Sequence, residues 1–209
     1  MQERIGILGG TFNPVHLGHL VMAQDALEQF TLSRVLFLPA SIPPHKVGTR
    51  VVSAEHRLAM LRLAVEPDPR FEVCEEEIRR SGVSYTIDTI RRLKELHPGA
   101  ALFFIIGSDT LRELHTWKDI HTLLELCDFI TLARPGFAVD NLNSAQLRLK
   151  DPWPERLARN VILGHLVEIS STDIRIGAER GRSIRYLVPE PVERYIHDTR
   201  LYSSQEIER

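Results

Sequence analysis

The stretch Gly9-Gly10-Thr11-Phe12-Asn13-Pro14-Val15-His16-Leu17-Gly18-His19 decides how the rest of the chain reads. Ahead of it stands a short apolar run, Arg4-Ile5-Gly6-Ile7-Leu8. Behind it Leu17, Leu20, Val21, Ala23, Ala26, Leu27 and Phe30 recur at helical spacing. The order is strand, glycine turn, helix, with two histidines at the helix start. The first N–H groups of a helix lack intrahelical acceptors and carry partial positive charge, which suits phosphate. Two imidazoles three residues apart, with Gly18 between them, can face one anion. The expected chemistry is a nucleotide triphosphate cradle at the carboxyl end of a first strand. The alternatives are a tight turn that only needs glycine's backbone freedom, and a histidine metal site. The second lacks both a His-Glu-x-x-His pattern and an obvious third ligand. The G-x-G-x-x-G and Walker lysine patterns are absent too.

Outward from this stretch, strand and helix patterns alternate. Strands are expected at residues 5–8, 35–38, 71–74, 102–106 and 129–133. Helices are expected at 17–30, from a Ser53 cap through 64, at 86–96, from a cap at Ser171-Thr172-Asp173, and at 189–197. The 102–106 run is apolar throughout, as in a strand covered on both faces. Residues 40–51 read as a proline-bearing loop and the candidate for movement on binding. Residues 137–154 read as a loop or insert without a role, and 161–169 as one or two short strands. No repeat or low-complexity tract is present. Strands separated by helices predict a mainly parallel α/β sheet with right-handed crossovers and ligands beyond the strands' carboxyl ends. Nearly every unusual motif falls at such an end.

The 209 residues suffice for one large domain or two small ones. A formal net charge of −2 gives no electrostatic case for general nucleic-acid binding. Cys74 and Cys127 have no companion cluster, so buried or incidental thiols are expected rather than a disulfide or metal site. The start Met1-Gln2-Glu3-Arg4 is charged, and no run approaches a membrane span. A reducing cytoplasm is the expected compartment, without membrane contact.

The remaining motifs each have a plain structural alternative. Ile169-Ser170-Ser171-Thr172-Asp173-Ile174-Arg175 could be a capped helix with a solvated arginine. Its resemblance to a second signature of one nucleotidyltransferase superfamily, whose first is the Gly9–His19 stretch, implies instead a second phosphate site, with hydroxyls, helix amides and Arg175 around the leaving phosphates. Pro43-Pro44-His45-Lys46 alone would be a rigid surface loop. Ser84-Tyr85-Thr86-Ile87-Asp88-Thr89 alone would be a helix cap. Gly107-Ser108-Asp109 ends the strongest strand, and Ala133-Arg134-Pro135-Gly136 ends the next. Trp117 would usually be core, but its polar setting, Thr116-Trp117-Lys118-Asp119, leaves room for stacking on a flat ring.

The two outer motifs resemble the signatures of the nucleotidyltransferase superfamily. All of the motifs, in this order, resemble bacterial nicotinate mononucleotide adenylyltransferases, over essentially the whole chain. The resemblance implies a single Rossmann-like, doubly wound domain over residues 1–209, with a small C-terminal helical part at about 171–209. It implies the reaction of ATP with nicotinate mononucleotide to give nicotinate adenine dinucleotide and pyrophosphate, by direct attack on the α-phosphate without a covalent intermediate. His16, His19 and Arg175 would be catalytic. Gly9, Gly10, Thr11, Phe12, Ser171 and Thr172 would join them in binding ATP. His45, Lys46, Thr86, Gly107, Asp109, Trp117 and Arg134 would bind substrate. Mg²⁺ would arrive on ATP, with no protein ligand named. Backbone N–H groups near Thr86 and after Trp117 would meet the nicotinate carboxylate.

Three other readings compete. A phosphopantetheine or cytidylyl transferase on the same scaffold would lack the nicotinate-type acceptor segments. A non-catalytic nucleotide sensor would have lost a phosphate-gripping residue, whereas His16, His19 and Arg175 are present. A dehydrogenase would carry the dinucleotide glycine pattern. Homo-oligomerisation and the degree of preference for nicotinate over nicotinamide stay open.

Overall fold

The structure is a computed structural model and describes residues 2–41, 51–133 and 143–203. In chain order its elements are β1 Arg4–Gly10, α1 Leu17–Gln29, β2 Arg34–Pro39, α2 Ala54–Val65, β3 Phe71–Val73, α3 Glu76–Arg80, α4 Thr86–Leu96, β4 Ala101–Gly107 and α5 Ser108–Leu111. After a 3-10 turn at Leu114–Thr116 come α6 Ile120–Leu126, β5 Asp128–Leu132, α7 Ser144–Leu147, α8 Trp153–Arg159, β6 Val161–Ile162, α9 Ser171–Glu179 and α10 Glu190–Asp198. The strands form one sheet in the order β3-β2-β1-β4-β5-β6, and every pairing is parallel. The chain thus winds outward from β1 to β3, returns, and winds outward again from β4. That reversal opens a crevice at the carboxyl ends of β1 and β4.

Alternation along each strand divides the core between the two faces. Leu102, Phe104 and Ile106 of β4 pack under α4 through Ile87, Ile90 and Leu93, and under α6 through Leu123 and Leu124. Phe103 and Ile105 pack on the other face against Ala23, Ala26 and Leu27 of α1 and Met60, Leu61 and Ala64 of α2. The C-terminal part joins this second face: Ile174 of α9 and Val192 and Ile196 of α10 lie in the same cluster. Register puts the strand ends level, with Gly10 opposite Pro39 and Gly107 opposite Leu132.

Some expectations change. The 137–154 stretch is not simply a loop: its described part holds α7 and the start of α8. α7 is capped by Asn143 Oδ1, which accepts from Ala145 and Gln146 N–H. α6 fills the gap between Trp117 and β5; its seven residues are too few for a clear helical period. Only Val161–Ile162 of the 161–169 stretch is strand. The cap of α9 is Ser170, one residue earlier than read, and its Oγ accepts from Thr172 N–H at 3.2 Å. No described helix is long and apolar enough to cross a membrane. Cys74 and Cys127 are free thiols; burial pushes Cys127 up to about 12, as expected of an inert buried thiol.

Candidate functional site

The two outer motifs, far apart in sequence, meet. Arg175 Nη1 donates to the Asn13 carbonyl at 2.8 Å, and Ser171 Oγ donates to the Pro14 carbonyl at 2.9 Å. Asn13 is buried, and its Oδ1 accepts from Tyr202 Oη at 2.8 Å and Val52 N–H at 3.4 Å. One asparagine thus fastens the first turn, the start of α2, the start of α9 and the C-terminal segment together. Its value was not legible beside Pro14, because every partner is distant in sequence.

These contacts frame a cavity of about 980 Å³, at the upper end of the roughly 300–1,000 Å³ usual for small-molecule clefts. His16, His19, Thr11, Ser171, Thr172 and Arg175 line it, with Gly18 and residues 164–169. The starts of α1 and α9 both face it, so two positive helix ends add to the guanidinium. α1 has no acidic residue in its first turn to offset that field. The amide supply of α1 is smaller than the sequence implied. Leu17 N–H donates to Leu187 O at 3.0 Å and His19 N–H to His16 O at 2.9 Å. Among the described residues the Gly18 N–H has no protein acceptor.

The histidines form one unit. His16 N–H donates to His19 Nδ1 at 3.2 Å, and the rings stack with centroids 3.7 Å apart. An accepting Nδ1 places the His19 proton on Nε2, making that atom a donor. Gly18 packs closely on this pair: a Cβ there would lie 3.1 Å from both Cε1 and Nδ1 of His16, which would have to yield by a few tenths of an ångström. Phe12 does not line the cavity. Its ring is buried, 5.0 Å from His19 and edge-on, so it supports the imidazole from beneath. Gly9 and Gly10 lie under the turn, against Phe104 and Phe12, and do not line this cavity among the described residues. Arg175 also donates to Thr172 Oγ1 at 3.2 Å, so two of its five N–H groups are engaged within the described protein.

The residues read as acceptor-binding sit elsewhere, around the end of β4. Gly107 closes β4, Asp109 lies in α5, Thr86 opens α4, and Trp117 follows the 3-10 turn. None of these lines the cavity. Trp117 is half-buried, edge-on to Phe104 at 5.7 Å and Phe129 at 6.1 Å. Its loop is tied to α4 by Lys118–Asp88 at 3.1 Å and Arg91–Asp119 at 2.9 Å. In α4 the first helical bond is Asp88 N–H to Tyr85 O, so the Thr86 and Ile87 N–H groups stand ahead of it. His45, Lys46 and Arg134 lie outside the described residues, as does most of the 40–51 loop.

Sequence reasoning missed Arg57 of α2. Its buried guanidinium donates to the carbonyls of Ala40 at 2.7 Å, Thr11 at 3.1 Å, Val52 at 3.3 Å and Ser41 at 3.4 Å. It clasps the carboxyl ends of β1 and β2 together. Burial lowers its pKa, against an opposing effect of Tyr202. Glu77 of α3 was missed too. It is buried, accepts from Thr89 Oγ1 at 2.7 Å, and is driven above the usual carboxylate range by burial. Ser84, which also bonds Glu77, accepts from Ser41 N–H at 3.0 Å. This buried chain links the start of α4 to the end of β2.

A family model described as cytidylyltransferase-like matches residues 7–177. A Desulfitobacterium hafniense protein named as a probable nicotinate-nucleotide adenylyltransferase is 47% identical over 96% of each chain. A protein of the same name from Geobacter sulfurreducens is 45% identical over 96% of this chain and 98% of its own. The solved structure of Plasmodium falciparum nicotinic acid mononucleotide adenylyltransferase complexed with NaAD has a TM-score of 0.73 at 19% identity. It covers 96% of this chain and 98% of that one, and shows the shared fold.

Proposed function

The chain belongs to the cytidylyltransferase-like family, among its nicotinate-nucleotide adenylyltransferases, and from that premise we propose that it joins ATP to nicotinate mononucleotide in NAD biosynthesis. A phosphate oxygen of the mononucleotide attacks the α-phosphorus of ATP in line. The bond from that phosphorus to the bridging oxygen breaks, and pyrophosphate leaves with its electron pair. The products are nicotinate adenine dinucleotide and pyrophosphate. The attacking oxygen is already anionic at neutral pH, so no general base is assigned, and no covalent intermediate forms.

The observation that carries the reading is the convergence of His16, His19 and Arg175 on one cavity between two helix starts. In phosphoryl transfer the protein acts by positioning and by neutralising charge. The Nε2 proton of His19 would be donated to a phosphate oxygen around the reacting phosphorus. Arg175, Thr172 and the start of α9 would hold the pyrophosphate as it departs. Mg²⁺ would come with ATP as part of the substrate and would supply charge neutralisation of the phosphates, with no residue of the chain assigned to hold it.

The acceptor would lie at the end of β4, with its pyridine ring on Trp117 and its ribose by Gly107 and Asp109. The N–H groups that open α4 would meet the nicotinate carboxylate. A carboxamide brings N–H donors of its own and no charge, so it should be disfavoured there. His45 and Lys46 would approach phosphates, and Arg134 would serve the acceptor side. The reducing cytoplasm, where free thiols persist, is the compartment that fits this role.

The test is pyrophosphate release with MgATP and either nicotinate or nicotinamide mononucleotide, with the dinucleotide identified by mass. Fast release with the nicotinate form and much slower release with the amide is expected. Equal rates would remove the backbone-donor account. No release with either, despite measurable ATP binding, would overturn the proposed reaction.

A further inference from the structure

One wall of the nucleotide cavity, residues 164–169, has no regular secondary structure. Its apolar anchorage is at its far end, where Ile169 packs on the core; Leu163 is 82% exposed and Leu166 is 67% exposed. Its beginning, residues 163–165, is therefore held by specific bonds. They come from one face of α1. Asp25 is 5% exposed, and its two carboxylate oxygens accept separately from His165, one from the backbone N–H at 2.7 Å and one from Nδ1–H at 2.7 Å. One helical turn on, Gln29 Nε2 donates to the Leu163 carbonyl at 3.1 Å. Between these anchors, Gly164 fits so closely that a Cβ would stand 2.5 Å from Asp25 Oδ2. Residues 163, 164 and 165 are thus all shaped to this face of α1.

The same helix carries His16 and His19 at its start. A rigid helix that holds the phosphate-facing histidines at one end and the opposite wall further along fixes the distance between them. We propose that Asp25 is a positioning residue of the nucleotide site, acting through His165 to hold the 164–169 wall against the ATP held by His16 and His19. It rests on the proposed reading of the cavity as the ATP site. Asp25 touches no reacting atom. Its carboxylate bridges a main-chain and a side-chain donor of one residue, so the wall is set in both position and rotation. A wall released from this bracket would still form, but it would meet the nucleoside in many arrangements and lower its affinity.

The experiment compares Asp25→Asn, His165→Ala, their double variant and His165→Asn with the unaltered protein. It reads KM for MgATP, KM for nicotinate mononucleotide, and ATP binding by calorimetry without acceptor. Asp25→Asn replaces the charged acceptor of both bonds with a neutral amide, and His165→Ala removes the ring bond. Each should raise the ATP KM and dissociation constant about tenfold and leave the acceptor KM within about twofold. The double variant should match the single ones, because both break one bracket. An asparagine side chain can place an N–H where Nδ1–H stood, so His165→Asn should restore ATP binding to within about threefold.

Equal rises in both KM values, additive losses, or His165→Asn no better than His165→Ala would each overturn the proposal. Should Asp25→Asn fail to fold, His165→Ala still decides: its side chain is 82% exposed, and unchanged ATP affinity would refute the mechanism. If the unaltered protein binds ATP but transfers no adenylyl group to the mononucleotide, the proposed reaction fails. The calorimetry then tests Asp25 on its own.

Discussion

Replacing Gly18 by alanine should separate stability from turnover. Gly18 lies in the first turn of α1, where it lines the cavity between the two histidines. Alanine is favoured over glycine in a helix by about 0.8–1 kcal/mol. Against that gain, the new Cβ would meet Cε1 and Nδ1 of His16 at 3.1 Å, and Val167 Cγ1 at an ordinary 3.7 Å. The His16 ring must therefore yield by roughly 0.3–0.5 Å to restore a normal contact near 3.4 Å. The ring is stacked on His19 at 3.7 Å, so the shift passes to both imidazoles. If a displacement of about 1 Å costs about a hundredfold in rate, one of 0.3–0.5 Å costs roughly four- to tenfold. The packing penalty and the helix gain roughly cancel in stability, which places Tm within about 4 °C of the unaltered protein. The assay is steady-state pyrophosphate release beside a thermal melt. A Tm loss of 10 °C or more would mean that Gly18 serves the fold, and an unchanged kcat would mean that ring placement is not critical.

Arg57→Met should cost about 3–5 kcal/mol in urea unfolding, because four backbone carbonyls lose their donor; a loss under 1 kcal/mol would show that water replaces it freely. Glu77 carries a pKa raised by burial, so the folded state holds its proton more tightly than the unfolded chain. Stability should therefore fall as pH rises from the ordinary glutamate range through the raised value, and unfolding titrations of Glu77→Gln at acid and neutral pH should lack that fall. A fall of equal size in the variant would assign it to other groups. Trp117→Ala should raise the KM for nicotinate mononucleotide about tenfold and leave the KM for ATP nearly unchanged. Equal rises in both constants would take the indole out of the acceptor site.

The fold was legible where chemistry is local. The apolar 102–106 run, the periodic 17–30 stretch and the Ser53 cap all stand close to their expected places, and Ser53 Oγ accepts from His56 N–H at 3.4 Å. The joining of His16 and His19 with Ser171, Thr172 and Arg175 followed from the resemblance of both motifs to one superfamily's signatures, and all five line one cavity. What escaped are groups defined by distant partners. Asn13 looks interchangeable until Tyr202 and Val52 are seen on its amide oxygen. Arg57 looks like a helix-surface arginine until four carbonyls surround it. Asp25 sits on a helix face the sequence treats as ordinary, and only the fold brings His165 to it. Phe12 stands in the same motif as Asn13, and its ring belongs to the core beneath His19, a placement that the motif alone does not show. Short helices such as α7 carry too few turns to display a period.

The most direct measurement is the single-turnover rate of His19→Ala with saturating MgATP and nicotinate mononucleotide, taken beside its ATP affinity and its thermal melt. The account predicts a normal melt and a rate lower by about 10²–10³-fold, the loss expected when one donor to developing phosphate charge is removed. A near-normal rate in the folded variant would contradict the claim that the paired histidines form the reacting phosphate site.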